Sequence, residues 1–161
     1  MNVGYNYRLT DLQCALGLSQ LHRLGLILAQ RQMLARSYAA LLASVPEVQL
    51  LSERPGCQHA WHLFVVQVPR RNLVFQRMRE AGFGVNVHYI PAYLHPYYRQ
   101  LGFAAGECPV AEVAYSRLLT LPLFPAMSYS DVQRVVSALK DALAATQGYS
   151  DDSITAFQVP Q

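Results

Sequence analysis

Asn6, Tyr7 and Arg8 place an amide, a phenol and a guanidinium side by side, two residues after Gly4 and just before Thr10-Asp11-Leu12-Gln13. Thr10 and Gln13 have the S/T-x-x-E/Q spacing of a capping box, and a long apolar-periodic run follows them. Gly4 gives the approach a backbone free to take positive φ. The three polar side chains therefore belong on a loop at the mouth of a helix. Unpaired N–H groups and the positive end of the helix dipole suit that place to an anion such as a phosphate. The plainer alternative is a capped helix behind a surface loop, with Asn6 and Arg8 satisfied locally.

A second patch is Asn86-Val87-His88-Tyr89. Alternation puts Val85 and Val87 on one face and Asn86 and His88 on the other, just before Pro91. Polar side chains at the carboxyl end of a strand suit a cleft, where His88 and Tyr89 could hydrogen-bond a hydroxyl, phosphate or sugar. An exposed strand face without a ligand fits the same pattern. Cys57-Gln58-His59-Ala60-Trp61-His62 has metal-ligating residue types, but a zinc site needs a fourth ligand and a supporting shell. A loop cysteine with two histidines at a strand entry is the simpler reading, and no metal is assigned. His95, Tyr97, Tyr98 and Arg99 read as a packed aromatic helix. No Ser-His-Asp pattern, Gly-rich phosphate loop, HExxH spacing or carboxylate pair is present. Among 13 basic residues Lys140 is the only lysine, so Schiff-base chemistry must use it, the N-terminus or an amine supplied from elsewhere.

The elements that must position these groups follow from periodicity. One long or slightly broken helix runs from Thr10 to about Ser44, interrupted by Gly25 and ending before Pro46. Its leucine face is broader than one surface helix needs, which points to a second body against it. Residues 48–51 form a short strand, 52–58 a loop, and 59–68 a dense β-favouring strand. Asn72 caps a helix that Gly82 stops, and 84–89 forms the next strand. A short aromatic helix lies within 93–101, Pro109 opens another to Arg117, and 118–121 is a strand ended by Pro122. Ser128 or Ser130 caps the last helix, and the residues after Gly148 form a tail. The result is an α/β unit of about three strands with flanking helices.

Composition narrows the classes. The chain has 161 residues, 52% hydrophobic and 14% charged, with net charge +3, which fits one folded domain and argues against disorder. The charge is mild and the arginines are scattered, so nucleic acid is not an expected partner. No apolar run is long enough to cross a membrane, and the start does not read as a signal peptide. Three widely spaced cysteines make no disulfide framework, and a reducing cytoplasm is the expected location.

Residues 4–21, Trp61-His62-Leu63-Phe64, residues 82–91 and Leu119-Thr120-Leu121-Pro122-Leu123-Phe124-Pro125 come in a specific order. In that order the chain resembles the pyridoxal-phosphate-dependent nucleotide-sugar aminotransferases of the DegT/DnrJ family, over about residues 2–145. The Asn-Val-His-Tyr run and Tyr97-Tyr98-Arg99 resemble those members that make UDP-4-amino-4,6-dideoxy-N-acetyl-β-L-altrosamine in pseudaminic acid synthesis. The resemblance implies the long linking helix and small C-terminal domain of PLP fold type I, with residues 1–46 as cofactor loop and helix and 47–147 as the small domain, followed by a tail, 148–161. It implies that Asn6 reaches the cofactor phosphate or substrate of a neighbouring subunit in a homodimer, with Arg8 as a further anion contact. It implies that Asn86, Val87, His88 and Tyr89 contact the UDP-sugar, and that glutamate donates the amino group through the cofactor.

The family's Schiff-base lysine, pyridine-nitrogen carboxylate and phosphate-binding serine have no counterparts here. Lys140 lies in the last helix, not at the catalytic position. Gly25 stands where the family has an acidic residue, and the tail matches nothing in the pattern. The chain on its own is therefore expected to be inactive, as the C-terminal portion of such an enzyme. The alternative is a non-catalytic dimerisation or interaction module, or a truncated product that pairs with a separate catalytic half.

Overall fold

Thr10 starts α1 (Asp11–Leu42) with extended backbone and a complete capping box. Its hydroxyl accepts from the Gln13 N–H at 3.3 Å, and Gln13 Oε1 accepts from the Thr10 N–H at 2.8 Å. The computed structural model describes residues 7–149. Gly4 and Asn6, and the tail from Ser150 on, lie outside the described residues. At a rise of about 1.5 Å per residue, the 32 residues of α1 span roughly 48 Å. Gly25 does not break the helix, and only its last turns are buried, through Leu34, Ala35, Tyr38 and Leu42.

Strands β1 (Gln49–Leu50), β2 (Phe64–Gln67) and β3 (Leu118–Leu121) form one antiparallel sheet in the order β1-β2-β3. Phe64 faces Leu121 and Val66 faces Leu119 across the central pairing. The helices between and after the strands are α2 (Arg71–Glu80), a 3₁₀ turn (Ala92–Leu94), α3 (Pro96–Gln100), α4 (Pro109–Arg117) and α5 (Tyr129–Ala145). Helix α5 packs against both α1 and α2. Its Val132, Val135, Val136, Leu139 and Leu143 join Phe64, Val66, Val74, Met78 and Leu119 in one buried cluster. Each such side chain contributes on the order of 1.5–3 kcal/mol by leaving water. Ser128, rather than Ser130, caps α5, in a second capping box with Asp131.

Four expected elements differ. The strand expected over 59–68 is confined to Phe64–Gln67. Trp61 takes positive φ (50°), which a β-ladder cannot accommodate. Arg31 also donates to the Trp61 and His62 carbonyls at 2.7 and 2.9 Å, removing them from strand pairing. The residue at the start of α2 is Arg70, in left-handed conformation, and not Asn72, which lies inside the helix. Residues 84–89 do not form a strand, because they meet β3 only through the Asn86–Thr120 bridge. The next N–H, of Val87, is taken by Asn86 Oδ1 at 2.8 Å, and the ladder goes no further. The aromatic helix expected within 93–101 is split into the 3₁₀ turn and α3, where Pro96 takes the first helical position. Gly82 (φ 84°) does end α2, in a backbone region that side chains resist.

Candidate functional site

Asn86 is held by two backbone hydrogen bonds: its N–H donates to Thr120 O at 3.1 Å, and Thr120 N–H donates to Asn86 O at 2.8 Å. This anchors the segment beside β3 and turns the following residues outward into a cleft of about 590 Å³. Asn86, Val87, Tyr89 and Ile90 form one wall of the cleft, while Leu94, His95, Pro96 and Arg99 form another. Phe75 of α2 and Tyr115 of α4 close it.

His88 does not line the cleft. Its Nδ1 lies 2.9 Å from Thr120 Oγ1 and its Nε2 lies 3.3 Å from Asn86 Nδ2. An amide nitrogen only donates, so Nε2 accepts and the proton sits on Nδ1, directed at Thr120. His88 therefore positions Asn86, whose amide sets the tautomer while Thr120 of β3 holds the other ring nitrogen. Its ring also meets Tyr89 edge-on at 4.7 Å.

The neighbouring loop is braced by Glu112. Its Oε1 accepts from the Tyr93 hydroxyl and from the Gly106 N–H, both at 2.6 Å. These two donors hold its carboxyl below the usual carboxylate range. Desolvation, then the Glu112 contact, pushes the Tyr93 phenol up to about 12. Behind the cleft, buried Arg71 donates to Tyr115 O at 2.9 Å and lies over the Tyr115 ring at 5.1 Å. Burial lowers its pKa from the ordinary arginine value, opposed by the Tyr115 contact.

Of the residues expected to bind ligands, the structure gathers Asn86, Val87 and Tyr89 into the cleft. Arg8 lies on the exposed approach to α1 and does not line it, and Asn6 is outside the described residues. Sequence reasoning missed His95 and Arg99 as cleft residues, having assigned them to packed helix. Their i,i+4 spacing was the available signal, since it puts both on one face. Phe75 and Tyr115 reach the cleft only through tertiary packing and carried no such signal. Around Cys57–His62, His59 Nδ1 accepts from the Trp61 N–H at 2.9 Å. Among the described residues no three His, Cys, Asp or Glu side chains are grouped to hold a metal. No described helix is long and apolar enough to cross a membrane.

Against these features stand the comparisons with known proteins. The family model "DegT/DnrJ/EryC1/StrS aminotransferase family" matches residues 1–140. The chain belongs to this family. Spore coat polysaccharide biosynthesis protein SpsC of Bacillus subtilis is 37% identical over 146 residues, which are 86% of this chain and 38% of SpsC. Among solved structures, the PLP form of Spr1654 from Streptococcus pneumoniae is 28% identical with a TM-score of 0.81, covering 86% of this chain and 36% of that one. Helicobacter pylori PseC, an aminotransferase involved in the biosynthesis of pseudoaminic acid, is 25% identical with a TM-score of 0.82, covering 90% of this chain and 40% of PseC. The chain thus spans less than half the length of these DegT/DnrJ relatives.

Pyridoxal phosphate is the cofactor of the DegT/DnrJ aminotransferases, and the Spr1654 match includes a PMP form as well. The described residues do not by themselves fit that group. Lys140, the sole lysine, projects from the exposed side of α5, and no lysine or carboxylate lines the cleft. An amine for the carbonyl and a carboxylate for the ring nitrogen are the donors the cofactor requires. No chemical step is therefore assigned to this chain's described residues through the cofactor.

Proposed function

We propose that this chain is the C-terminal portion of a pyridoxal-phosphate-dependent aminotransferase that moves an amino group from glutamate to a UDP-linked 4-keto-6-deoxy sugar. Within the family we assign it to the pseudaminic acid type, which makes UDP-4-amino-4,6-dideoxy-N-acetyl-β-L-altrosamine. Asn86, Val87 and Tyr89 contact the sugar nucleotide, and His88 fixes Asn86. Asn6 and Arg8 serve the cofactor phosphate or the substrate of a neighbouring subunit in a homodimer. The observation that carries the reading is the cleft itself: three of the four residues expected to touch the sugar line one cavity in a chain of this family. Its mixture of amide, phenol and apolar wall suits a sugar bearing hydroxyls and an apolar ring face.

The test has two arms. Purified alone with pyridoxal phosphate, reduced with borohydride and digested, the chain should carry no stoichiometric, substrate-sensitive label on Lys140. Co-expressed with the lysine-bearing part of a DegT/DnrJ relative, it should restore glutamate-dependent amination of the UDP-linked keto sugar. Specific labelling of Lys140 would overturn the division of labour. Failure of every co-expressed pair to aminate would overturn the reaction assignment.

A second reading, a non-catalytic association module, is favoured by the exposed leucines along the first two-thirds of α1. Leu12 is 72% exposed and Leu21 62%. Self-association of the chain without any amination in either arm would select that reading.

A further inference from the structure

We propose that Arg99, with His95 beside it, holds the diphosphate of the nucleoside diphosphate sugar and so makes the cleft select a nucleotide-linked sugar over a free one. The proposal rests on the sugar-nucleotide reading above. Both side chains line the cleft, one helical turn apart across α3. Arg99 forms neither of the two salt bridges among the described residues, and its hydrogen bonds there are made by its backbone, the N–H donating to His95 O at 3.1 Å and the carbonyl accepting from the Gly102 N–H at 3.1 Å. A guanidinium offers paired, fixed N–H donors that match two phosphate oxygens at once, and imidazole adds a further donor.

The surroundings favour an anion. None of the lining residues is a carboxylate, and the Arg71 guanidinium stands behind the Tyr115 wall. A guanidinium in a cleft with apolar walls focuses a positive potential on its interior. The trough between α2 and α5 is a useful contrast. Arg77 and Arg134 line it, but Glu80 and Asp131 pair with them, and Asp141 lines the same trough. Charge there is compensated, whereas at Arg99 it is not.

The cleft also has more than an anion needs. Its volume of about 590 Å³ and its aromatic walls, Tyr89, Phe75 and Tyr115, can enclose a ring as well as phosphates. A lone inorganic anion would leave that apolar surface uncovered.

The experiment is a titration of the full ¹⁵N-labelled chain with UDP, uridine, inorganic pyrophosphate and pyridoxal phosphate, followed by amide shifts and calorimetry. UDP should shift Asn86, Tyr89 and Arg99 and bind at least about ten times more tightly than uridine, a difference that weakens as salt rises. Arg99→Gln should remove the UDP-over-uridine preference, Arg99→Lys should restore part of it, and Arg77→Gln should leave it intact. UDP binding no tighter than uridine would overturn the proposal, as would an unchanged ratio in Arg99→Gln. Displacement of UDP by pyridoxal phosphate at equal or lower concentration would reassign the site to the cofactor. A null titration beside restored amination in the co-expressed enzyme would remove Arg99 from its role while leaving the function proposed above in place.

Discussion

Tyr38 shows how a single side chain joins the helical and sheet parts of the molecule. Its ring stacks on Phe64 at 4.7 Å, and its hydroxyl donates to Pro122 O at 2.7 Å. Desolvation, then the charge of Asp131, raises its pKa beyond the ordinary tyrosine value. A raised folded pKa means stability present below the unfolded value, about 10, and lost as pH rises above it. Tyr38→Phe keeps the stack but leaves the Pro122 carbonyl unpaired, and should cost about 1–2 kcal/mol in urea denaturation. It should also flatten the alkaline loss of stability. Asp131 behaves in the opposite sense. The Ser128 N–H and hydroxyl, then Arg134, hold it at about 2. Its depressed pKa gives stability above the unfolded value, about 3.9, that is lost as pH falls from there to about 2. Asp131→Asn should remove that acid-limb dependence from thermal melts recorded between those pH values.

Among the elements, helices with explicit end signals were the most legible. The Thr10/Gln13 and Ser128/Asp131 boxes mark starts by local hydrogen bonding, and Pro109 marks the start of α4 by its fixed φ and missing N–H, all of which sequence alone records. Strand ends were less so, because they depend on partners distant in the chain. Arg31 claiming carbonyls thirty residues away shortens β2, and Thr120 offering a single bridge leaves 84–89 unpaired beyond it. The site was legible to the same degree. Alternation paired Asn86 with His88 and set Val87 on the opposite face, and only the family resemblance named Val87; the neighbour that turns His88 away, Thr120, is 32 residues distant. Gly25 supports a further expectation. It lies within α1 and a Cβ there would meet nothing within 4 Å. Gly25→Ala should therefore stabilise α1 by about 0.5–1 kcal/mol, visible as a higher midpoint in helix-monitored melts.

At the scale of the whole molecule, burial is uneven. The sheet, α2, α5 and the end of α1 share one core, while the first two-thirds of α1 presents Leu12, Leu16, Leu18, Leu21 and Leu24 to solvent. Replacing Leu16 and Leu21 together with glutamate should change the stability of the core by no more than about 0.5 kcal/mol. The same pair should abolish any concentration-dependent association seen by sedimentation, because it places charge on two sides of the exposed leucine-rich length of α1. The Arg31 guanidinium sits where the exposed and buried lengths of α1 meet, donating to Trp61 O, His62 O and Leu123 O. One side chain thereby clamps the helix to the segment entering β2 and to the segment leaving β3. Because Phe64 pairs with Leu121, those two segments lie side by side, and a displacement of the projecting end of α1 would reach the central and edge strands at the same end of the sheet.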